Sequence, residues 1–421
     1  MEKMNLIVST LLVFYFSFLR RRKNLNLQLL SCSFFLTILF SSCVSEFHTE
    51  LPWNEQEILT VDGEIIANSN VKFFISRGLH LNRPVRPSET FDINAKLTLI
   101  SGKGYESDTA IYMGKGEFLL SVGALEDDVE YGIRIKFDGN TYESALSKPL
   151  FTPEIDSVSW SQPERNGPVY FYVSTHDNTS DEAISFLWKY SEIWEFHAKY
   201  YTTVFMVPGM RQYYIIEPAP YYYCWKYIES NRYIIGSTKS LKENSIINKL
   251  LFHCYPGEKG RFTELYCLNA VQKTISKNAY DFFQNKIKLN EEMGGLFTPQ
   301  PSEISGNITC MTDPDKKAMG YITVSKNITQ KQIWIYPPEI SHPPFPSVDI
   351  SCPVISISDM DKYLTEKKIY FIDFVSSGFV PSGDMKPWEI DPFEWAPPNC
   401  TNCVLMGGSK KKPDFWPNDH E

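Results

Sequence analysis

From Ile58 onward, apolar residues recur at alternate positions in short runs separated by turn residues, the period of strands with one face in a core. Leu59, Val61, Val71, Phe73, Ile75, Leu97 and Leu99 fit such strands, and Gly63, Gly78, Gly102 and Gly104 punctuate them. Short strands at this spacing predict a β-sandwich. In the clearest run, Tyr131, Ile133, Ile135 and Phe137 alternate with small or charged residues and lead through Asp138-Gly139-Asn140 to Tyr142. That segment predicts a hairpin, because Gly and Asn accept the positive φ of a tight reversal. Pro149 and Pro153 mark a boundary, so a first domain is expected over residues 56–153.

A second β-rich domain is expected over residues 154–345. Val169, Phe171 and Val173 alternate, and Ile184 to Phe196 reads as a long aromatic strand with Trp188 and Trp194. One prominent α-helix is predicted over 277–293. Ser276 can cap it, Tyr280, Phe283 and Ile287 share a face, and Gly294-Gly295 ends it. Further strands are expected near Ala318 to Val324 and Gln332 to Ile335, before the prolines from Pro337 to Pro346 break regular structure. Residues 346–421, with one strand at Ile369 to Val375, read as a C-terminal extension packed on the second domain. The fold class is therefore mainly β: a sandwich, then a second β-rich domain carrying one helix.

Upstream of the first strand the pattern changes. Arg20, Arg21, Arg22 and Lys23 precede an apolar run from Leu25 to Phe40, followed by Ser41-Ser42-Cys43. A basic n-region, an apolar h-region and small residues before a cysteine read as a bacterial lipoprotein signal. Residues 1–42 are expected to be this signal with an N-terminal extension, since Leu6 to Leu19 is too short to span a membrane. Cys43 is the expected lipidation site, where two or more acyl chains would give a stable membrane anchor. Residues 43–55 would be the tether.

Removing residues 1–42 takes five of the 41 basic side chains and one of the 50 acidic ones, leaving 36 against 49, a charge of −13. So acidic a chain, without a Lys/Arg stripe, excludes a typical nucleic-acid binder. The aromatic content of 14% favours sheet structure. Apart from Cys32 and Cys43, seven cysteines follow, and an odd number cannot all pair in an oxidising envelope.

Candidate chemistry is sparse. There is no HExxH, no Gly-rich phosphate loop and no GxSxG elbow, and no cofactor is implied. Glu192, Glu195 and His197 lie on the aromatic strand. They could serve a hydrolase as a base pair or half a metal site, although solvent-facing charge is the plainer reading. Cys400-Thr401-Asn402-Cys403 reads first as a disulfide, then as half a zinc site, because Pro397-Pro398 and Gly407-Gly408 do not suit a redox CxxC at a helix start. Cys254 and Cys267 flank Pro256-Gly257-Glu258-Lys259-Gly260 and are candidates for a cross-hairpin disulfide. Nine tyrosines fall between Tyr200 and Tyr233, and Tyr213, Tyr214, Tyr221, Tyr222 and Tyr223 are candidate ligand contacts, though sheet packing gives the same pattern. The N-x-S/T triplets at Asn178, Asn307, Asn327 and Asn399 read as chance.

Several stretches together carry a resemblance: Phe186 to Phe196, Cys224-Trp225, Gly295-Leu296-Phe297 with Pro299-Gln300-Pro301, Gly306-Asn307-Ile308, Gly320-Tyr321, and Cys400 to Cys403 followed by Gly407-Gly408 and Pro413-Asp414-Phe415-Trp416. In this order they resemble the Bacteroidota envelope lipoproteins known as domain of unknown function 4249. The resemblance covers nearly all of the chain after Cys43 and implies an outer-membrane lipoprotein with an immunoglobulin-like N-terminal domain. It also implies an accessory, non-catalytic role beside a TonB-dependent transporter, with capture of an unknown small ligand. It carries over no catalytic residues. A structural or adhesive envelope module is the further alternative.

Overall fold

The structure, a computed structural model, describes residues 58–78, 93–179, 182–206, 213–216, 219–292, 306–342, 352, 355–356, 380–382 and 394–417. Cys43, the expected tether, Gly294-Gly295 and the expected strand Ile369 to Val375 lie outside these residues.

Period-two alternation resolves into strands. In chain order the first half contributes β1 (Ile58–Asp62), β2 (Glu64–Ile66), β3 (Ser69–Gly78), β4 (Ala95–Ser101), β5 (Ile111–Gly114), β6 (Glu117–Val122), β7 (Tyr131–Phe137) and β8 (Asn140–Ser144). Next come β9 (Ile155–Ser161), β10 (Val169–His176), β11 (Ser185–His197), β12 (Val204–Met206), β13 (Tyr213–Ile215), β14 (Tyr223–Glu229), β15 (Ile234–Ser237), β16 (Ser245–Cys254) and β17 (Tyr266–Ile275). Helix α1 (Lys277–Glu292) precedes β18 (Ile308–Cys310), β19 (Ala318–Met319), β20 (Thr323–Ser325) and β21 (Thr329–Ile335). The last elements are β22 (Ile355–Ser356), β23 (Val380–Ser382), β24 (Glu394–Ala396) and the short turn α2 (Pro398–Thr401).

The first half is an immunoglobulin-like sandwich, with one sheet in the order β19-β1-β3-β6-β5 and the other in the order β18-β8-β7-β4. Its inward positions, among them Phe73, Ile75, Leu97, Ile133 and Ile135, are sealed from solvent. The β7–β8 hairpin turns on Asp138 and Gly139, both at positive φ (49° and 72°). That is the backbone which matches strand twist in a two-residue loop.

Three strands of this half come from far down the chain. β18 pairs with β8, and β19 and β20 run parallel to β1 and β2. Residues 308–325 therefore build the first sandwich and not the second domain in which the sequence places them. Strands of two or three residues are too short to show a period, and what seats them is shape and hydrogen bonding. Gly320 has φ 138°, and a Cβ there would lie 2.0 Å from the Val61 carbonyl oxygen. Asn307 donates through Nδ2 to the Ile322 carbonyl (2.9 Å) and accepts at Oδ1 from the Ile322 amide (2.8 Å). The Gly306-Asn307 and Gly320-Tyr321 motifs are thus the two sides of one clasp.

The second half packs a five-stranded sheet, β14-β11-β17-β21 with β15 beside β11, on the three-stranded sheet β16-β10-β9. Trp188, Trp194, Phe171, Phe186, Phe196 and Tyr266 fill the space between them. The buried Trp188 indole donates to Gln272 (2.7 Å), whose amide donates in turn to the Pro153 carbonyl (2.9 Å) and the Thr175 hydroxyl (3.0 Å). Helix α1, with Ser276 accepting from the Ala279 amide (3.2 Å), lies on the outer face of the larger sheet. There Ala279 and Phe283 meet Leu187, Ile235 and Ile275, with Tyr280 and Ile287 at the margin.

The halves are tied beside the linker. Asn327 accepts from the Thr152 amide (2.9 Å) and donates to the Thr152 carbonyl (2.8 Å), while the Thr152 hydroxyl donates to the Asn327 carbonyl (2.9 Å). Two asparagines that read as chance triplets in the sequence therefore act as chain clasps. The segment 394–417 packs on the second half, where Trp416 is buried with Leu265 and Cys267 against Trp334.

Candidate functional site

Strand parity decides the fate of Glu192, Glu195 and His197. On β11, even-numbered side chains enter the inter-sheet core and odd-numbered ones face the other way, so Glu192 is separated from the other two. Glu192 is 2% exposed. Arg261 donates to both of its oxygens (Nε 2.8 Å, Nη2 3.1 Å) and the Tyr266 hydroxyl donates as well (2.9 Å). Arg261 lies over the Trp194 ring at 4.7 Å. Burial works against the guanidinium charge, but the Glu192 carboxylate outweighs it and raises the Arg261 pKa. Burial, then the Glu192 charge, pushes the neighbouring Cys254 thiol up to about 12. This is a closed ion-pair network without an approach for substrate.

Glu195 is fully buried on the opposite face and accepts from the Trp416 indole (3.4 Å). His197 donates from Nδ1 to the Ala198 carbonyl (2.6 Å), which can only accept; its Nε2 faces Glu264 at 3.5 Å. The expectation of solvent-facing charge is thus corrected for both glutamates, and the three residues do not form one site. Among the described residues, no group of three or more His, Cys, Asp or Glu is placed to hold a metal.

The cysteines pair differently from the sequence expectation. Cys403 bonds Cys224 on β14 and Cys400 bonds Cys352, so the CxxC is not internally bridged. The reason is local: Cys403 donates its amide to the Tyr221 carbonyl and accepts from the Gly408 amide, which directs it toward β14. Gly408 has to be glycine, since a Cβ would come 2.6 Å from the Cys224 Cβ. Cys254 and Cys267 are free and buried. Cys254 joins the inter-sheet core, whereas Cys267 points to the other face of β17 beside Trp416, and this prevents the expected bridge.

Of the candidate tyrosines, Tyr213 and Tyr214 lie on β13, which pairs with β12. Tyr221 carries Lys410 over its ring at 4.6 Å. Tyr222 stacks on His197 (4.9 Å) and meets Tyr201 and Tyr223 edge-on. Burial, then the Glu264 charge, raises the Tyr223 hydroxyl to about 12. Tyr222 is used in packing its neighbours, beside the Cys224–Cys403 staple.

A further concave feature lies elsewhere, where the outer face of the larger second-half sheet meets the first sandwich. A cleft of about 280 Å³ opens there. Leu187, Lys189 and Lys273 form one wall; Asp62, Glu64, Lys72, Phe74 and Glu117 form the other; Tyr233, Phe283 and Tyr321 close the side next to α1. Lys273 is 7% exposed and bonds Glu64 across the cleft and the Thr323 hydroxyl (3.1 Å). Burial raises the Glu64 pKa, but Lys273 and Lys189 overcome it and hold the carboxyl below its ordinary value. Lys72 pairs with Glu117 at 2.7 Å. The sequence carried one signal for this site: Lys189 and Lys273 share the parity of Leu187 and Ile275, on the face that α1 covers.

No curated protein matches the chain. Among solved structures, a two-domain fibronectin type III segment from chicken tenascin aligns with 52% of this chain and 90% of its own, at 12% identity and a TM-score of 0.16. A putative membrane anchored protein from Corynebacterium diphtheriae aligns with 51% of this chain and 54% of its own, at 10% identity and the same TM-score. The family model described as Domain of unknown function (DUF4249) matches residues 44–331, well over half of the chain. The protein therefore belongs to the DUF4249 family.

Proposed function

We propose that this protein is an outer-membrane lipoprotein, tethered through Cys43, that captures a small ligand for a TonB-dependent transporter without transforming it. The observation that carries this reading is the pair of disulfides, Cys224–Cys403 and Cys352–Cys400, which join segments 179 and 48 residues apart. Disulfides persist in oxidising compartments such as the bacterial envelope. The family match begins at residue 44, directly after the cysteine that the signal pattern marks for acylation. The cleft between the halves supplies a concave site with charged and aromatic walls, and concavity is the feature it shares with small-molecule sites in general. Tethering would raise the ligand concentration next to the transporter without additional contacts.

Two measurements test the reading. Mass spectrometry of the mature N-terminus is expected to give a triacylated Cys43, and an unprocessed N-terminus defeats the anchor. Cross-linking in cells followed by affinity purification is expected to recover a TonB-dependent transporter; recovery of none defeats the partnership.

A further inference from the structure

Residues 397–413 hold three lysines and no Asp or Glu, in a chain whose net charge is −9. The turn within them is closed at its neck. There Cys403 is bonded to Cys224, its carbonyl accepts from the Gly408 amide (3.1 Å), and Ser409 exchanges two backbone bonds with Trp225 on β14 (2.9 and 2.8 Å). At the tip the Val404 carbonyl accepts from the Gly407 amide (2.9 Å), and Val404 and Leu405 are 39% and 58% exposed. Two apolar side chains therefore stand in water on a short turn whose base is held covalently. Lysines flank that base. The Lys226 Cε comes within 3.9 Å of the point that a Cβ on Gly407 would occupy. Its ammonium sits over Phe196 (4.5 Å) and donates to the Lys259 carbonyl (3.3 Å). Lys410 and Lys411 follow the neck and are exposed, with the Lys410 ammonium over the Tyr221 ring (4.6 Å). None of these contacts is with a carboxylate, and Glu258, next to Lys259, faces Arg261 (3.5 Å). Burial, then the positive charges of Lys259 and Arg261, pulls the Lys226 amine down to about 8, and a nearby anion would favour its charged form.

We propose that the turn 404–411 is a membrane contact, in which Val404 and Leu405 enter the interfacial layer of an anionic phospholipid bilayer while Lys226, Lys410 and Lys411 meet its phosphates. This rests on the reading of the protein as a membrane-tethered lipoprotein: the tether holds the chain near a bilayer, and the turn fixes which side of the second half faces it. The order of the groups matches that partner. A bilayer presents phosphates above an acyl boundary, and a surface-bound segment pairs apolar side chains below with lysines at the headgroup level. A soluble polyanion would engage the lysines and leave Val404 and Leu405 in water. Because the neck is closed before contact, little ordering opposes association. Each lysine near an anionic surface contributes about fivefold in partitioning, and salt screens that attraction.

An environment-sensitive fluorophore attached through Leu405→Cys in the full chain, reconstituted with vesicles of phosphatidylglycerol and phosphatidylcholine, tests this. The probe is expected to shift to the blue and to be quenched by brominated acyl chains, whereas the same probe attached through Lys115→Cys, on the exposed β5–β6 turn, is not. Replacing Lys410→Gln and Lys411→Gln together is expected to cut the quenched fraction at position 405 by at least half, with an unchanged circular dichroism spectrum showing retention of fold. High salt, or phosphatidylcholine alone, is expected to do the same. Equal quenching at both probe positions, no quenching at position 405, indifference to the lysine replacements, or an equal blue shift on poly-glutamate without lipid overturns the proposal. Flotation and the mass of the N-terminus are read separately. A chain that floats with its position 405 probe unquenched keeps the anchor and refutes this contact, and a quenched probe on a chain unacylated at Cys43 supports the contact and refutes the anchor alone.

Discussion

The first sandwich closes around aliphatic side chains such as Ile75, Leu97, Ile133 and Ile135, while the second surrounds its aromatic core with ions and sulfur. Among the described residues the buried charged side chains are Glu192, Glu195, Arg261 and Lys273, all in the second half. Both disulfides are there too. The first half is secured by topology instead, with late strands threaded beside early ones and clasped by Asn307. The comparison teaches that similar sheet architecture can be held by backbone complementarity on one side and by covalent and ionic staples on the other. A change made in one half should therefore produce a different kind of damage from a change made in the other.

The largest expected effect sharpens that contrast. Glu192→Ala leaves the Arg261 charge buried without its partner and is expected to cost about 3–5 kcal/mol in urea unfolding. The double replacement Glu192→Leu with Arg261→Met should recover most of that loss, because matched apolar groups need no counterion. A cost near zero for the single change would show that the pair is already solvated. Next, replacing Cys224 and Cys403 together by serine is expected to destabilise by about 2–4 kcal/mol. Limited proteolysis should then cut the segment 394–417 first, and early cleavage in the first sandwich instead would break the comparison.

Asn307→Ala is expected to cost about 1–3 kcal/mol, since it leaves the Ile322 amide and carbonyl without their side-chain partner. Hydrogen exchange should rise in β18 and β20 while β10 and β11 stay protected; uniform loss across both halves would contradict independent reinforcement. The smallest effect concerns pH. Because Glu64 is held below its ordinary value of 4.5, its contribution is present above that value and fades as pH falls through the folded value. Glu64→Gln should flatten the acid side of the stability profile and leave the neutral side parallel to the parent.

Much of the sandwich architecture was legible from alternation alone. Tyr131 to Phe137, the Asp138-Gly139 turn and the face of α1 all express local rules that need no knowledge of distant partners. The return of residues 308–325 did not, because two- and three-residue strands carry no period and their positions depend on contact with Val61 and Ile322. Cysteine pairing was equally hidden: Cys400 and Cys403 are neighbours in sequence, yet each is drawn to a different part of the fold. Parity could have separated Glu192 from Glu195 in advance, since residues three apart on a strand face opposite ways. The cleft was the least legible feature, assembled from segments as distant as Asp62 and Tyr321.

The threading of β19 beside β1 has a consequence for biosynthesis. A ribosome or translocation channel releases the chain from its N-terminal end, so the early strands emerge long before Ala318 and Thr323 exist to complete them. Until then the edges of β1 and β2 lie open and prone to pairing with strangers, a hazard of contacts between parts remote in sequence. The N-terminal sandwich is thus first to be made and among the last to be finished, and a chain cut short before Ser325 would never close it.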